Sequence, residues 1–179
     1  NGHVLLALFT RETLELDEVI FIPAADPPHK DSTHAKADQR MDMVKMAIAG
    51  VDGFSASRIE LDRPGKSYTV DTLRQLRADY PHSALFLIIG SDNVAQMSTW
   101  HDPLGIVDHC TVVAGKRLAK DTEVDPALAA RMRFIDTPLI ELSSTQIRQR
   151  LRDGLAVRGM IPDAVERYVV EKGLYKPCI

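Results

Sequence analysis

Ala84-Leu85-Phe86-Leu87-Ile88-Ile89-Gly90-Ser91-Asp92-Asn93 is the stretch that decides the fold. Residues 84–89 are uninterruptedly apolar, the strongest strand pattern in the chain, and they run straight into a glycine and three small polar residues. Outward from this strand, short β-rich runs alternate with helical patterns in both directions. Upstream, residues 3–16 place Val4, Leu5, Leu8, Phe9 and Leu14 on one helical face, and residues 18–23 form a strand that ends at a proline. A polar loop over 24–37 leads to a helix that Asp38 caps and Gly50 stops. A strand over 54–61 and a helix over 69–80 follow. Downstream come a short helix, a second one opened by Asp102-Pro103, and strands over 111–114 and 134–142. A helix capped by Ser143 or Ser144 ends near Asp153-Gly154, and the last covers 162–172.

Short strands between helices of roughly 10–15 residues predict a parallel sheet with helices on both faces, an α/β fold with a small helical C-terminal part. Ligands in such folds collect beyond the carboxyl ends of the strands. The loops after Ile22, Ile89, Ala114 and Leu142 are therefore where chemistry is expected.

At 179 residues the chain suits a single domain able to bury a sizeable core. Its formal net charge of −3 predicts no general polyanion-binding surface and hence no nucleic-acid partner; phosphate chemistry would rest on a few placed cations. The two cysteines, Cys110 and Cys178, lack metal-ligand or CxxC spacing. No apolar run reaches the roughly 20 residues that span a bilayer. These features, with no signal-peptide pattern at Asn1, predict a cytoplasmic protein without a membrane partner. A homo-oligomer stays open.

The usual nucleotide fingerprints are absent: no two of the ten glycines are spaced GxG, and Gly115-Lys116 lacks the upstream glycine of a phosphate-binding loop. Other devices are present. In Ser143-Ser144-Thr145-Gln146-Ile147-Arg148, hydroxyls at a strand-to-helix junction sit beside unpaired amides, and Arg148 lies one turn beyond Thr145. That pattern suits a phosphate, and equally an ordinary cap with a solvated arginine. Asn1-Gly2-His3 places a histidine at a helix start, where it could donate to phosphate or simply be hydrated. Gly90-Ser91-Asp92 allows close backbone approach and a carboxylate for ribose hydroxyls; a plain turn is the alternative. Trp100 could stack on a flat heterocycle or be half-buried core. Ser67-Tyr68-Thr69 opens a helix able to receive a carboxylate, and Pro27-Pro28-His29-Lys30 offers a stiff turn bearing a cation. Neither a Ser-His-Asp nor a Cys-His set, nor paired carboxylates placed for hydrolysis, is found. His101-Asp102 lacks further spaced ligands, so no protein metal site is expected.

Taken in order, NGH, IPAADPPHK, the QR before a helix, SYTVDTL, FLIIGSDN, TW, SSTQIR and MIPDAVERYVVEKGLY resemble bacterial nicotinate-nucleotide adenylyltransferases, in the nucleotidyltransferase superfamily with an HxGH motif. The resemblance spans nearly the whole chain. It implies a Rossmann-like doubly wound α/β domain that joins ATP and nicotinate mononucleotide to give deamido-NAD and pyrophosphate, with Mg²⁺ accompanying ATP, in NAD biosynthesis. In-line attack of the mononucleotide phosphate on the α-phosphorus needs no protein nucleophile, leaving positioning and charge stabilisation to the protein. By position, the resemblance assigns ATP to Gly2, His3, Gly90, Asp92, Ser144, Thr145 and Arg148, with His3 and Arg148 as catalytic. It assigns the mononucleotide to Lys30, Tyr68, Thr69, Val70, Trp100 and His101. Trp100 would stack on the pyridine ring, Thr69 with the amides near Val70 and His101 would recognise the carboxylate, and Lys30 would lie near the phosphate.

Two departures accompany the resemblance. The family's first strand and the opening of its GGxFxPxHxGH segment precede what Asn1-Gly2-His3 supplies, and a molecule lacking them is expected to have little activity. Lys116-Arg117-Leu118-Ala119 stands where the family commonly has an Arg-Pro-Gly turn. The competing expectations are a related transferase acting on nicotinamide mononucleotide or phosphopantetheine, and a nucleotide-binding module without catalysis.

Overall fold

The computed structural model describes residues 1–25, 35–115, 124–138 and 142–175. In chain order these form α1 (Gly2–Leu14), β1 (Val19–Phe21), α2 (Ala37–Ile48), β2 (Phe54–Ala56), α3 (Thr69–Asp79), β3 (Phe86–Ile89) and α4 (Ser91–Val94). A 3-10 turn at Met97–Thr99 leads to α5 (Pro103–His109), β4 (Thr111–Gly115), α6 (Pro126–Ala129), β5 (Met132–Ile135), α7 (Ser144–Arg152) and α8 (Asp163–Glu171). All strand pairs among the described residues are parallel, in an order interrupted by helices, which is the α/β class expected.

The residues group into two compact units. The first comprises Asn1–Leu5, Asp17–Gly65 and Ile140–Ile179. Here β1 pairs with β2, Val19 opposite Phe54 and Phe21 opposite Ala56, and the rings of Phe21 and Phe54 lie 5.3 Å apart. Helices α2 and α8 bury Ala35, Val165, Val169 and Leu174 against Met43, Met46 and Ala47. Tyr168 Oη donates to Asp42 Oδ2 at 2.8 Å, so the two helices also share a polar tie.

The second unit comprises Leu6–Leu16 and Lys66–Leu139. Its sheet has the order β3-β4-β5, with Ile89 opposite Ala114 and Gly115 opposite Ile135. The central strand β4 is the most enclosed: Val112, Val113 and Ala114 have no exposed surface. A strand buried on both faces suits β-branched residues, which is what Thr111-Val112-Val113 supplies. Val70, Leu73, Met97, Ile106 and Leu128 pack into the same cluster.

Several boundaries differ from expectation for identifiable reasons. The helix expected to be capped at Asp38 begins two residues earlier: Gln39 Oε1 accepts from the Lys36 amide at 2.8 Å, and Asp38 instead pairs with Arg58 at 2.8 Å. β2 ends at Ala56 rather than 61, because Arg58 binds both Asp38 and Asp62 and draws the chain into a turn. β5 starts at Met132 and stops at Ile135, followed by Asp136-Thr137-Pro138, whose proline offers no ladder donor; residues 139–141 of the expected strand lie outside the described residues. α6 was not anticipated, although Asp125-Pro126 carries the same signature that located α5: Asp125 Oδ1 accepts from Ala127 N at 2.8 Å.

Candidate active site

The start of α7 settles which serine is the cap. Ser143 Oγ accepts from the Gln146 amide at 3.1 Å, and Gln146 Oε1 accepts from the Ser143 amide at 3.2 Å, a reciprocal capping box. Ser144 and Thr145 then occupy the exposed first turn, where helix amides point outward without intrahelical acceptors. Arg148 Nη2 donates to Thr145 Oγ1 at 3.1 Å, so the guanidinium bends back to the positive end of the helix. Hydroxyls, amides and a guanidinium at one helix start are donors of the kind that phosphate oxygens accept from.

The same unit holds the first turn of α1. Asn1 Nδ2 donates to the carbonyl of Gly159 at 2.8 Å, and Leu5 N donates to the Asn1 carbonyl at 3.0 Å, so the segment bearing Gly2 and His3 is tied to the loop after α7. His3 itself is exposed.

Arg40 of α2 is a residue whose position sequence reasoning did not explain. Its Nη1 donates to the Ala35 carbonyl at 2.9 Å, and its Nη2 to those of Ala25, at 3.2 Å, and Ala24. One planar fork thus gathers carbonyls from the end of the β1 segment and from the start of α2. The charges of Arg148 and Arg40 both act on Tyr175, whose hydroxyl burial pushes above its ordinary pKa and those cations pull back. The signal for Arg40 was its inclusion in the QR motif; Tyr175 carried no signal beyond the family-like tail. Lys30 lies outside the described residues, as do Lys116 and Arg117.

In the second unit, β3 ends at Ile89 and Gly90 caps α4. Gly90 has an ordinary negative φ, yet a Cβ there would lie 2.4 Å from Asp92 Oδ1. The missing side chain is what lets the exposed Asp92 carboxylate fold over the strand end. Asn93 Nδ2 approaches the same oxygen at 3.5 Å.

Tyr68, Thr69 and Val70 form the entry to α3. Tyr68 is the N-cap, its carbonyl accepting from Asp71 and Thr72, which leaves the amides of Thr69 and Val70 at the open end of the helix. Val70 is fully buried and fixes this end in the core. Trp100 follows the 3-10 turn, its amide donating to the Met97 carbonyl at 3.1 Å, and it packs half-buried on the cluster that holds Val70 and Met97. That placement makes Trp100 partly core, as one of its two readings expects. The structure brings Tyr68 and His101 together directly, with ring centres 4.3 Å apart.

Among the described residues no three His, Cys, Asp or Glu side chains gather to hold a metal ion. No helix of those residues is long and apolar enough to cross a membrane.

A cytidylyltransferase-like family model matches residues 1–150. A protein of Thermus thermophilus named as a probable nicotinate-nucleotide adenylyltransferase is 42% identical over 175 residues, which cover 98% of this chain and 92% of that protein. A relative of the same name from Exiguobacterium sibiricum is 39% identical over 174 residues, covering 97% of this chain and 91% of its own length. Among solved structures, the Plasmodium falciparum nicotinic acid mononucleotide adenylyltransferase complexed with NaAD superposes with a TM-score of 0.76, covering 97% of this chain and 89% of that one. Its 15% identity makes that a likeness of fold alone. On these matches, the chain belongs to the nicotinate-nucleotide adenylyltransferases, a family of nucleotidyltransferase enzymes.

Proposed function

We propose that the protein transfers the AMP moiety of ATP to nicotinate mononucleotide, giving deamido-NAD and pyrophosphate in NAD biosynthesis. The observation that carries this reading is the capped start of α7, where Arg148 folds back 3.1 Å onto Thr145 beside free helix amides. In the reaction, an oxygen of the mononucleotide phosphate attacks the α-phosphorus of ATP. The bond from the α-phosphorus to the bridging oxygen breaks, and pyrophosphate departs with its negative charge.

Ser144, Thr145 and Arg148 bind the triphosphate in this reading, with Gly2 and His3 donating to it from the first turn of α1. Arg148 and His3 stabilise charge that develops on the departing pyrophosphate, the kind of preorganised stabilisation that dominates such reactions. Gly90 and Asp92 take the adenosine, Asp92 accepting from ribose hydroxyls. Thr69 and the amides near Val70 and His101 bind the nicotinate carboxylate, Trp100 stacks on the pyridine ring, Tyr68 also belongs to the mononucleotide side, and Lys30 serves the mononucleotide phosphate. A divalent cation enters with ATP as part of the substrate, Mg²⁺ in this reading, ligated by phosphate oxygens. Residues 1–179 act as one nucleotidyltransferase domain, working in the cytoplasm on these small molecules and on neither nucleic acid nor membrane.

Pyrophosphate release with ATP and, in turn, nicotinate mononucleotide, nicotinamide mononucleotide and phosphopantetheine tests the proposal. The expected result is a kcat/KM for the nicotinate compound at least about tenfold above the others, since a site built for a charged group rejects analogues that leave it unpaired. Equal or reversed preference overturns the acceptor; ATP binding without pyrophosphate release from any acceptor overturns catalysis.

A further inference from the structure

We infer that Asp102 and Arg74 are positioning residues that hold the Thr69–Val70 amides and the backbone at His101 in one fixed arrangement, and so set the preference for an acceptor whose ring carries a carboxylate. The inference rests on the proposed function and deepens its acceptor side.

Asp102 has φ 51 and ψ 62, a left-handed conformation that L residues rarely adopt and that aspartate tolerates better than most. It is held there from several sides. Its Oδ1 accepts from the Gly105 amide at 3.1 Å, capping α5, and its Oδ2 accepts from Arg74 Nη2 at 2.8 Å. Gly105 has room for this carboxylate only because it lacks a Cβ, which would stand 2.2 Å from Oδ2. Pro103 fixes the next φ. A strained backbone surrounded by so many fixed partners is typical of positions that aim a neighbour, and the neighbour here is His101.

Arg74 supplies the other half of the link. It lies on α3, one turn beyond Asp71, and binds that residue's carboxylate at 3.0 Å while reaching Asp102. A single guanidinium therefore runs from the first turn of α3 to the residue that follows His101. At the same junction the rings of Tyr68 and His101 lie 4.3 Å apart, tilted by 34°. The two segments proposed to share the carboxylate are thus joined twice, once by an ion pair and once by rings. Beneath them α3 and α5 pack through Leu73, Ile106 and Val107, which are buried and independent of the pair. Cutting the pair should leave the core intact and loosen the placement of His101 relative to the Thr69–Val70 amides.

The pair is half-exposed, so its removal should cost no more than about fivefold in binding. The test is steady-state kinetics of the full chain carrying D102N, R74M or both. D102N keeps a capping acceptor and a residue at ease in the left-handed region. Each variant is expected to raise the KM for nicotinate mononucleotide about three- to fivefold and shrink the preference over nicotinamide mononucleotide. The KM for ATP should stay within about twofold, and the double variant should be no worse than the worse single one, because both remove one interaction. D102A, which also loses the cap, should raise the KM by about tenfold or more. Unchanged KM for nicotinate mononucleotide, an equal rise for ATP, or a fall in Tm with kinetics unmoved overturns the inference. A wild-type chain that uses both mononucleotides equally overturns instead the carboxylate reading beneath it.

Discussion

The Arg148 guanidinium donates to the Thr145 hydroxyl at 3.1 Å, one turn back toward the open end of α7. This geometry aims a permanent positive charge at the place where helix amides already face outward, and it does so on an exposed surface where little packing depends on it.

Arg148→Ala is accordingly expected to lower kcat by about 10²–10³, the usual cost of removing a group that meets developing charge. Tm should move by no more than about 2 °C, since a half-exposed helix residue contributes little to stability. Turnover assays paired with thermal melts decide the matter. An unchanged rate would make Arg148 an ornament of the helix.

Trp100→Ala should act on two quantities at once, because the ring is part core and part surface. The KM for the mononucleotide is expected to rise about tenfold with the loss of a stacking partner. The lost packing is expected to cost about 2 kcal/mol and lower Tm by about 4–8 °C. Trp100→Phe should recover most of both effects. A large melting change with unchanged KM would confine Trp100 to the core.

Gly90→Ala separates sterics from backbone conformation, since φ −70 suits alanine. The added methyl would meet Asp92 Oδ1 at 2.4 Å and push the carboxylate from its place. The expected outcome is a KM for ATP raised about fivefold, in the same direction as Asp92→Asn, with the mononucleotide KM unmoved. Equal ATP kinetics in both variants and wild type would remove Asp92 from the adenosine side.

Cys110 makes stability depend on alkaline pH. Its thiol is buried, donates to the Ile106 carbonyl at 3.3 Å, and is pushed from an ordinary 9.0 to about 11, chiefly by burial. In the unfolded chain the thiol loses its proton near its ordinary value, whereas the folded one keeps it, so the unfolded state binds fewer protons between those values. The contribution is fully present below about pH 9 and is lost as pH rises toward about 11. Denaturant unfolding from pH 8 to 11 should show a decline that is shallower in Cys110→Ala. Parallel profiles would place the alkaline sensitivity elsewhere.

The alternation of strands and helices was legible because β3 and β4 are apolar on both faces and stand between amphipathic helices. Two of the boundaries that slipped did so where an ion pair of Arg58 competed with the local pattern. Asp38 had the chemistry of a cap, but Arg58, distant in sequence, claimed it. Leu61 had the pattern of a strand, but the Arg58–Asp62 pair turned the chain first. The same distinction runs through the site. The closeness of Thr145 and Arg148 could be read from spacing, since a helix brings residues three apart onto one face, whereas the choice between Ser143 and Ser144 as cap could not. Arg74 could not, because its tie to Asp102 depends on how α3 packs on α5, and Arg40 could not, because its acceptors are backbone carbonyls that leave no mark on residue identity.

The capping box of α7 has a thermodynamic side. Because Ser143 and Gln146 satisfy each other's amides, the first turn is in place before any nucleotide arrives. On the proposed reading, a triphosphate meeting this turn has no backbone to order, so little of the binding free energy is spent on conformational entropy. Binding at that end should be driven by charge and hydrogen bonding with a small heat-capacity change, the calorimetric mark of a receptor that was already folded.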